Sequence, residues 1–94
     1  MPAMAVRSPT IFLYGKPGCG LCHEARAIVD AIVAERVAAG RIAPAIEERD
    51  ITTNDRWLEA FAFEIPVVEI GDRQLPLATS ASAIRRLIGE AIDG

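Results

Sequence analysis

The chain reads as an α/β domain on a mixed four-stranded sheet, in the order β-α-β-α-β-β-α, with the second and fourth strands edge-like. Three observations in its 94 residues lead there. A short apolar run, Thr10–Tyr14, passes through a Gly- and Pro-containing turn into a long helical stripe. A second hand-over from strand to helix follows in a charged segment. A Gly71-Asp72-Arg73 turn then folds one strand onto the next, ahead of a final amphipathic helix.

Each element has its own justification. Thr10–Tyr14 is β-branched and aromatic enough for a strand covered on both faces. From about Gly20 to Ala38 the apolar residues Leu21, Ala25, Ile28, Val29, Ile32, Val33 and Val37 fall on one helical stripe, and Gly40 stops it. Pro44 opens the next segment, and the charges of Ile46–Ile51 suit an edge strand, where they discourage pairing with other chains. Thr52, Thr53 or Asn54 can cap a short helix carrying Trp57, Leu58 and Phe61, of which Trp57 and Phe61 sit at helical spacing and read as core. Ile65–Ile70 is a strand with proline near its start, and Pro76 within Gln74–Leu77 argues for a second edge. After a Thr79–Ser82 cap region, Ile84, Leu87, Ile88, Ala91 and Ile92 share one face of the last helix. Residues 1–9 read as a mobile lead-in, and residues 10–94 as one domain.

The totals exclude several functions. A net charge of -3 offers no footprint for nucleic acid. No apolar run approaches the roughly 20 residues of a membrane span. The first residues lack the apolar region of a secretory signal, so a cytoplasmic protein is expected.

The chemistry lies in Cys19-Gly20-Leu21-Cys22, at the junction of the first strand and the first helix. Unpaired N–H groups at a helix start carry partial positive charge and favour a thiolate placed there. A second cysteine one turn on can displace the mixed disulfide formed by the first. Cys22 falls on the line of Val29 and Val33, so it should face the core, whereas Cys19 should reach solvent. Such a close pair would staple almost nothing as a structural bridge, and two cysteines cannot complete a four-ligand zinc site. His23 would add a third ligand only on paper, and it shares the solvent side of the helix with Arg26 and Asp30. Lys16, the one lysine of the chain, stands three residues before Cys19 and can support its anion. Tyr14 is expected at the strand end with its hydroxyl near this loop. Thr79 and Ser80 are helix-cap residues that could also receive an anionic thiol substrate. Glu47, Glu48 and Arg49 read as a solvated strand edge.

Three pieces at their spacing, Leu13–Cys22, Arg49-Asp50-Ile51 and Ile65–Ile70, resemble the thioredoxin superfamily, and within it the small glutaredoxin-like proteins. The resemblance spans about Thr10 to Asp93. It implies a thioredoxin-like fold and a dithiol–disulfide oxidoreductase in which Cys19 attacks and Cys22 resolves. It also implies a cis Ile65–Pro66 bond facing the dithiol, where the backbone of Ile65 meets an extended substrate. Gly20-Leu21 stands where thioredoxins have Gly-Pro and common dithiol glutaredoxins Pro-Tyr. Ala78-Thr79-Ser80-Ala81 replaces the Gly-Gly and acid that hold glutathione in glutaredoxins. The expected substrate is a disulfide-containing protein or a small-molecule thiol. Glutathione and a thioredoxin reductase are both open as the reductant, and no tightly bound cofactor or metal is expected. Two other readings use the same cysteines. One is an iron–sulfur or metal carrier, although copper-type carriers follow a different strand order and place methionine where Pro17-Gly18 stands here. The other is a thioredoxin-fold binding module without redox activity.

Overall fold

The computed structural model describes residues 9–94, so the expected lead-in lies, apart from Pro9, outside the described residues. Its elements are β1 (Thr10–Gly15), α1 (Gly20–Ala38), β2 (Ala45–Asp50), α2 (Asp55–Phe61), β3 (Val67–Ile70), β4 (Arg73–Leu75) and α3 (Ala81–Asp93). This is the expected order. The sheet runs β2-β1-β3-β4, which puts the second and fourth strands at its edges. β1 pairs parallel with β2, from Thr10↔Ala45 to Gly15↔Asp50, and antiparallel with β3, from Ile11↔Ile70 to Tyr14↔Val67.

Alternation along the central strands divides the core in two. Ile11, Leu13, Val68 and Ile70 pack with Ala25, Val29 and Ile32 of α1 and with Ile84 and Ile88 of α3. Tyr14 and Val67 turn to the other face, where they meet Ile51 and Phe61. Each such aliphatic side chain fully removed from water contributes about 1.5–3 kcal/mol, so the two central strands hold the sheet together.

Several boundaries differ from the expected ones for physical reasons. Asp50 ends β2 because its carboxylate accepts hydrogen bonds from the N–H and hydroxyl of Thr52, which starts a 3-10 turn at Ile51–Thr53. Asn54 then caps α2, its side chain accepting from the N–H groups of Arg56 and Trp57. β4 stops at Leu75, and Pro76 falls just outside it. Leu21 and Val37, expected on the core stripe, are exposed, because the two ends of α1 reach beyond the sheet. On α2, Phe61 is buried and Trp57 is half-buried against the second core cluster.

A buried cation takes the place of apolar packing at the far end of α1. Arg36 is 7% exposed; it donates to both carboxylate oxygens of Asp93 on α3, at 2.7 and 3.2 Å, and to the Ile42 carbonyl at 2.6 Å. Its charge conceals this in the sequence, but its spacing does not. Arg36 lies four residues beyond Ile32, so the core-facing line of the helix passes through it.

Candidate functional site

Cys19 is the N-cap of α1. Its backbone is extended, with φ -90° and ψ 104°, as a cap requires, and its sulfur accepts the Cys22 N–H at 3.2 Å. The first turn of α1 contains no acidic residue, so no side-chain charge there opposes an anion at that sulfur. Cys19 and Cys22 are joined as a disulfide with Cα atoms 5.2 Å apart, within the span such a bond allows.

Burial alone does not separate the two cysteines: both are half-buried, whereas the sequence pattern put one in solvent and one in the core. Their neighbours do separate them. Cys19 faces the helix N–H groups. Cys22 lies against Gly15, where an added Cβ would stand 3.0 Å from its sulfur and 3.1 Å from its Cβ. Gly15 therefore gives the second cysteine its room, a requirement its turn-like sequence context does not reveal.

Beside Cys22 opens a cleft of about 250 Å³ between the end of β1, the start of α1 and the end of β2. Gly15, Lys16, His23, Glu48 and Asp50 contribute to its wall. His23 is exposed, as its place on the helix indicates, and Lys16 is exposed in the loop before Cys19. Glu48 is bound to Arg26 of α1 at 3.1 Å, and Arg26 in turn to Asp30 at 2.9 Å, so this carboxylate ties β2 to the helix.

The second sequence-marked segment sits at the same end of the sheet. The Ile65–Pro66 bond is cis, and Pro66 is buried. The pairing Tyr14↔Val67 carries Pro66 to the edge where β1 gives way to the dithiol loop. The Pro66 carbonyl accepts the Ala78 N–H at 2.8 Å, which draws the start of α3 to the same place. There Ser80 caps the helix, its hydroxyl accepting the Ala83 N–H at 3.2 Å, and Thr79 is exposed beside it. The fold thus gathers Lys16, Cys19, Cys22, Ile65, Pro66, Thr79 and Ser80 at one end of the sheet.

Tyr14 departs from its expected place near the dithiol. It is 3% exposed, and its hydroxyl donates to Glu69 and accepts from Arg49, both at 2.9 Å, on the α2 face of the sheet. Burial, and after it the bond to Glu69, pushes the phenol above its ordinary value, with Arg49 pulling the other way. A buried, doubly bonded hydroxyl is a structural group rather than a substrate contact.

Arg49, read from the sequence as part of a solvated edge, is the hub of that face. Its guanidinium lies 3.8 Å from the centroid of Phe12 and 5.0 Å from that of Trp57, and it bonds Glu47 at 2.9 Å. Glu69 also accepts from Gln74 at 2.6 Å, so one chain of polar bonds crosses all four strands. The signal that could have found it is the register Tyr14↔Arg49, which a charge count does not contain.

Among the described residues no group of three or more His, Cys, Asp or Glu is placed to hold a metal ion, and no helix is long and apolar enough to cross a membrane. The family model described as Glutaredoxin-like domain (DUF836) matches residues 10–90. No curated protein matches the chain.

Proposed function

The chain belongs to the glutaredoxin-like domain family, and from that premise we propose that it is a dithiol–disulfide oxidoreductase. The observation that carries the reading is the sulfur of Cys19 in the capping position of α1, accepting a helix N–H while a second cysteine stands within bonding reach. In the reduced protein that N–H and the helix start favour the Cys19 thiolate.

The Cys19 thiolate attacks one sulfur of a substrate disulfide. The substrate S–S bond breaks, one thiolate leaves and is protonated, and a mixed disulfide forms on Cys19. The Cys22 thiol loses its proton to solvent and attacks the Cys19 sulfur, expelling the second substrate thiolate, which takes up a proton in turn. The substrate has gained two electrons and two protons, and the Cys19–Cys22 pair has become oxidised. A thiol reductant, glutathione or a thioredoxin reductase system, returns it to the dithiol. A reducing, cytoplasmic setting fits that cycle.

Lys16 supports the thiolate by its charge, and the Ile65–Pro66 segment with Thr79 and Ser80 receives the substrate. The backbone N–H and C=O of Ile65 have no hydrogen-bond partner among the described residues, which suits pairing with an extended chain. A disulfide-reduction assay, run in parallel with glutathione and with a thioredoxin reductase system, tests the reading. Turnover with at least one, abolished by Cys19→Ser, is expected. No turnover with either would remove it.

A further inference from the structure

Phe63 is 95% exposed and Leu77 58% exposed, and neither belongs to a strand or helix. They flank one piece of backbone. Phe63 stands two residues before Ile65, and the Leu77 N–H donates to the Glu64 carbonyl at 2.8 Å, next to the Ala78–Pro66 bond of the same length. Two backbone bonds thus join residues 64–66 to residues 77–78, with Leu77 bonded to Glu64 and Phe63 next to it in the chain. Leu77 adopts a left-handed backbone, φ 49°, which side-chain-bearing residues avoid, and in that conformation its side chain is out in solvent. A single exposed leucine needs no explanation. Two large apolar groups beside the Ile65 donor and acceptor, which both lack partners among the described residues, do.

The occupant must offer apolar surface and also answer an N–H and a C=O. An extended polypeptide does both, its main chain pairing with Ile65 while alternate side chains meet Phe63 and Leu77. A small disulfide such as glutathione disulfide brings no large apolar side chain. It also brings several carboxylates to a place where Glu64 already stands exposed.

We propose that Phe63 and Leu77 form a docking rim for an extended segment of a partner protein whose reactive cysteine is flanked by apolar residues, so that protein disulfides are captured in preference to small ones. This rests on the dithiol reading above.

The test compares Phe63→Ser and Leu77→Gly with wild type on two disulfides, insulin and 2-hydroxyethyl disulfide. Glycine suits the left-handed backbone, so Leu77→Gly removes the side chain without adding strain. Each variant should raise KM for insulin by roughly five- to tenfold, the size expected from losing a partly buried apolar contact. Turnover of 2-hydroxyethyl disulfide and the thermal midpoint should stay unchanged. An unchanged KM for insulin, or an equal loss on both disulfides, would overturn the proposal.

A second measurement needs no cysteine chemistry. Fluorescence anisotropy follows a labelled peptide in which serine, flanked by leucines, replaces the reactive cysteine. Weaker peptide binding by Phe63→Ser supports the rim even if wild type reduces neither disulfide, an outcome that would sink the dithiol reading alone. Equal binding by wild type and variant would overturn it. So would a concentration-dependent dimer in sedimentation that Phe63→Ser dissolves while peptide binding is retained, since the rim would then serve a second copy.

Discussion

The two ends of α1 solve the same problem with opposite consequences. Both present backbone groups that the helix cannot satisfy within itself. At the N-terminus the Cys19 sulfur accepts one of the spare N–H groups, at 3.2 Å, and stays half-buried, with a cleft opening beside its partner Cys22. At the C-terminus Ala39, Gly40 and Arg41 return their N–H groups to helix carbonyls at 2.9–3.1 Å, with Gly40 left-handed at φ 68°. The buried guanidinium of Arg36 then fastens that end to α3 and to the Ile42 carbonyl. One end is capped by a group that can leave its partner and react. The other is capped by groups that cannot. A reactive sulfur keeps its position during exchange because the helix behind it is anchored elsewhere.

Substitutions at the two ends should therefore separate chemistry from stability. The largest effect is expected at Cys19. Cys19→Ser should abolish disulfide reduction outright with little change in thermal midpoint, whereas Cys22→Ser should keep alkylation of Cys19 and accumulate mixed disulfides, both visible by mass spectrometry.

The converse lies at the far end. Asp93→Asn leaves the Arg36 guanidinium buried against a weaker partner and should lower the thermal midpoint by several degrees, with 2-hydroxyethyl disulfide turnover unaffected at low temperature. The Arg36 guanidinium, its hydrogen bond first, holds the Asp93 carboxyl below the usual carboxylate range. A depressed carboxyl stabilises the fold above its unfolded value, about 3.9, and that contribution is lost as the pH falls below it. The difference between wild type and Asp93→Asn should stay constant near neutrality and close below about pH 4 in thermal melts.

Gly15→Ala comes next. The new Cβ would crowd the Cys22 sulfur, which must give by a few tenths of an ångström. A loss of about 1 kcal/mol in denaturant unfolding is expected, together with slower release of the mixed disulfide in single-turnover kinetics. A variant as stable and as fast as wild type would show that Cys22 has more room than its contact with Gly15 indicates.

The smallest effect belongs to Lys16→Gln. An exposed charge in water contributes weakly, so the Cys19 titration should rise by only a few tenths of a pH unit at low salt, and the shift should vanish at high salt. A salt-independent change would mean that Lys16 acts through the loop's shape rather than its charge.

Much of this arrangement is legible in the chain. The strand-to-helix hand-over at Thr10–Tyr14 places the dithiol at a helix start. The charges of β2 and Pro76 mark the second and fourth strands as edges, which is where the sheet β2-β1-β3-β4 has them. The final helix buries Ile84 and Ile88 as its period indicates. What escaped detection depends on register or on close approach. Arg49 looks solvated until β2 is set against β1 and brings it over Phe12 and Tyr14. Gly15 looks like a turn residue until the Cys22 sulfur is set against it. Arg36 looks like an ordinary surface cation until α3 ends beside it with Asp93. Leu21 and Val37 fail in the opposite sense, since periodicity marks a face but not where the neighbouring sheet stops.

The most direct test of the capped sulfur is competitive alkylation of the reduced protein across pH, read residue by residue by mass spectrometry. Cys19 is expected to label first and to titrate well below the free-thiol value of about 8.5, because the start of α1 stabilises its anion. Cys22 should label more slowly across the same range. Faster labelling of Cys22, or a Cys19 midpoint at or above about 8.5, would contradict it.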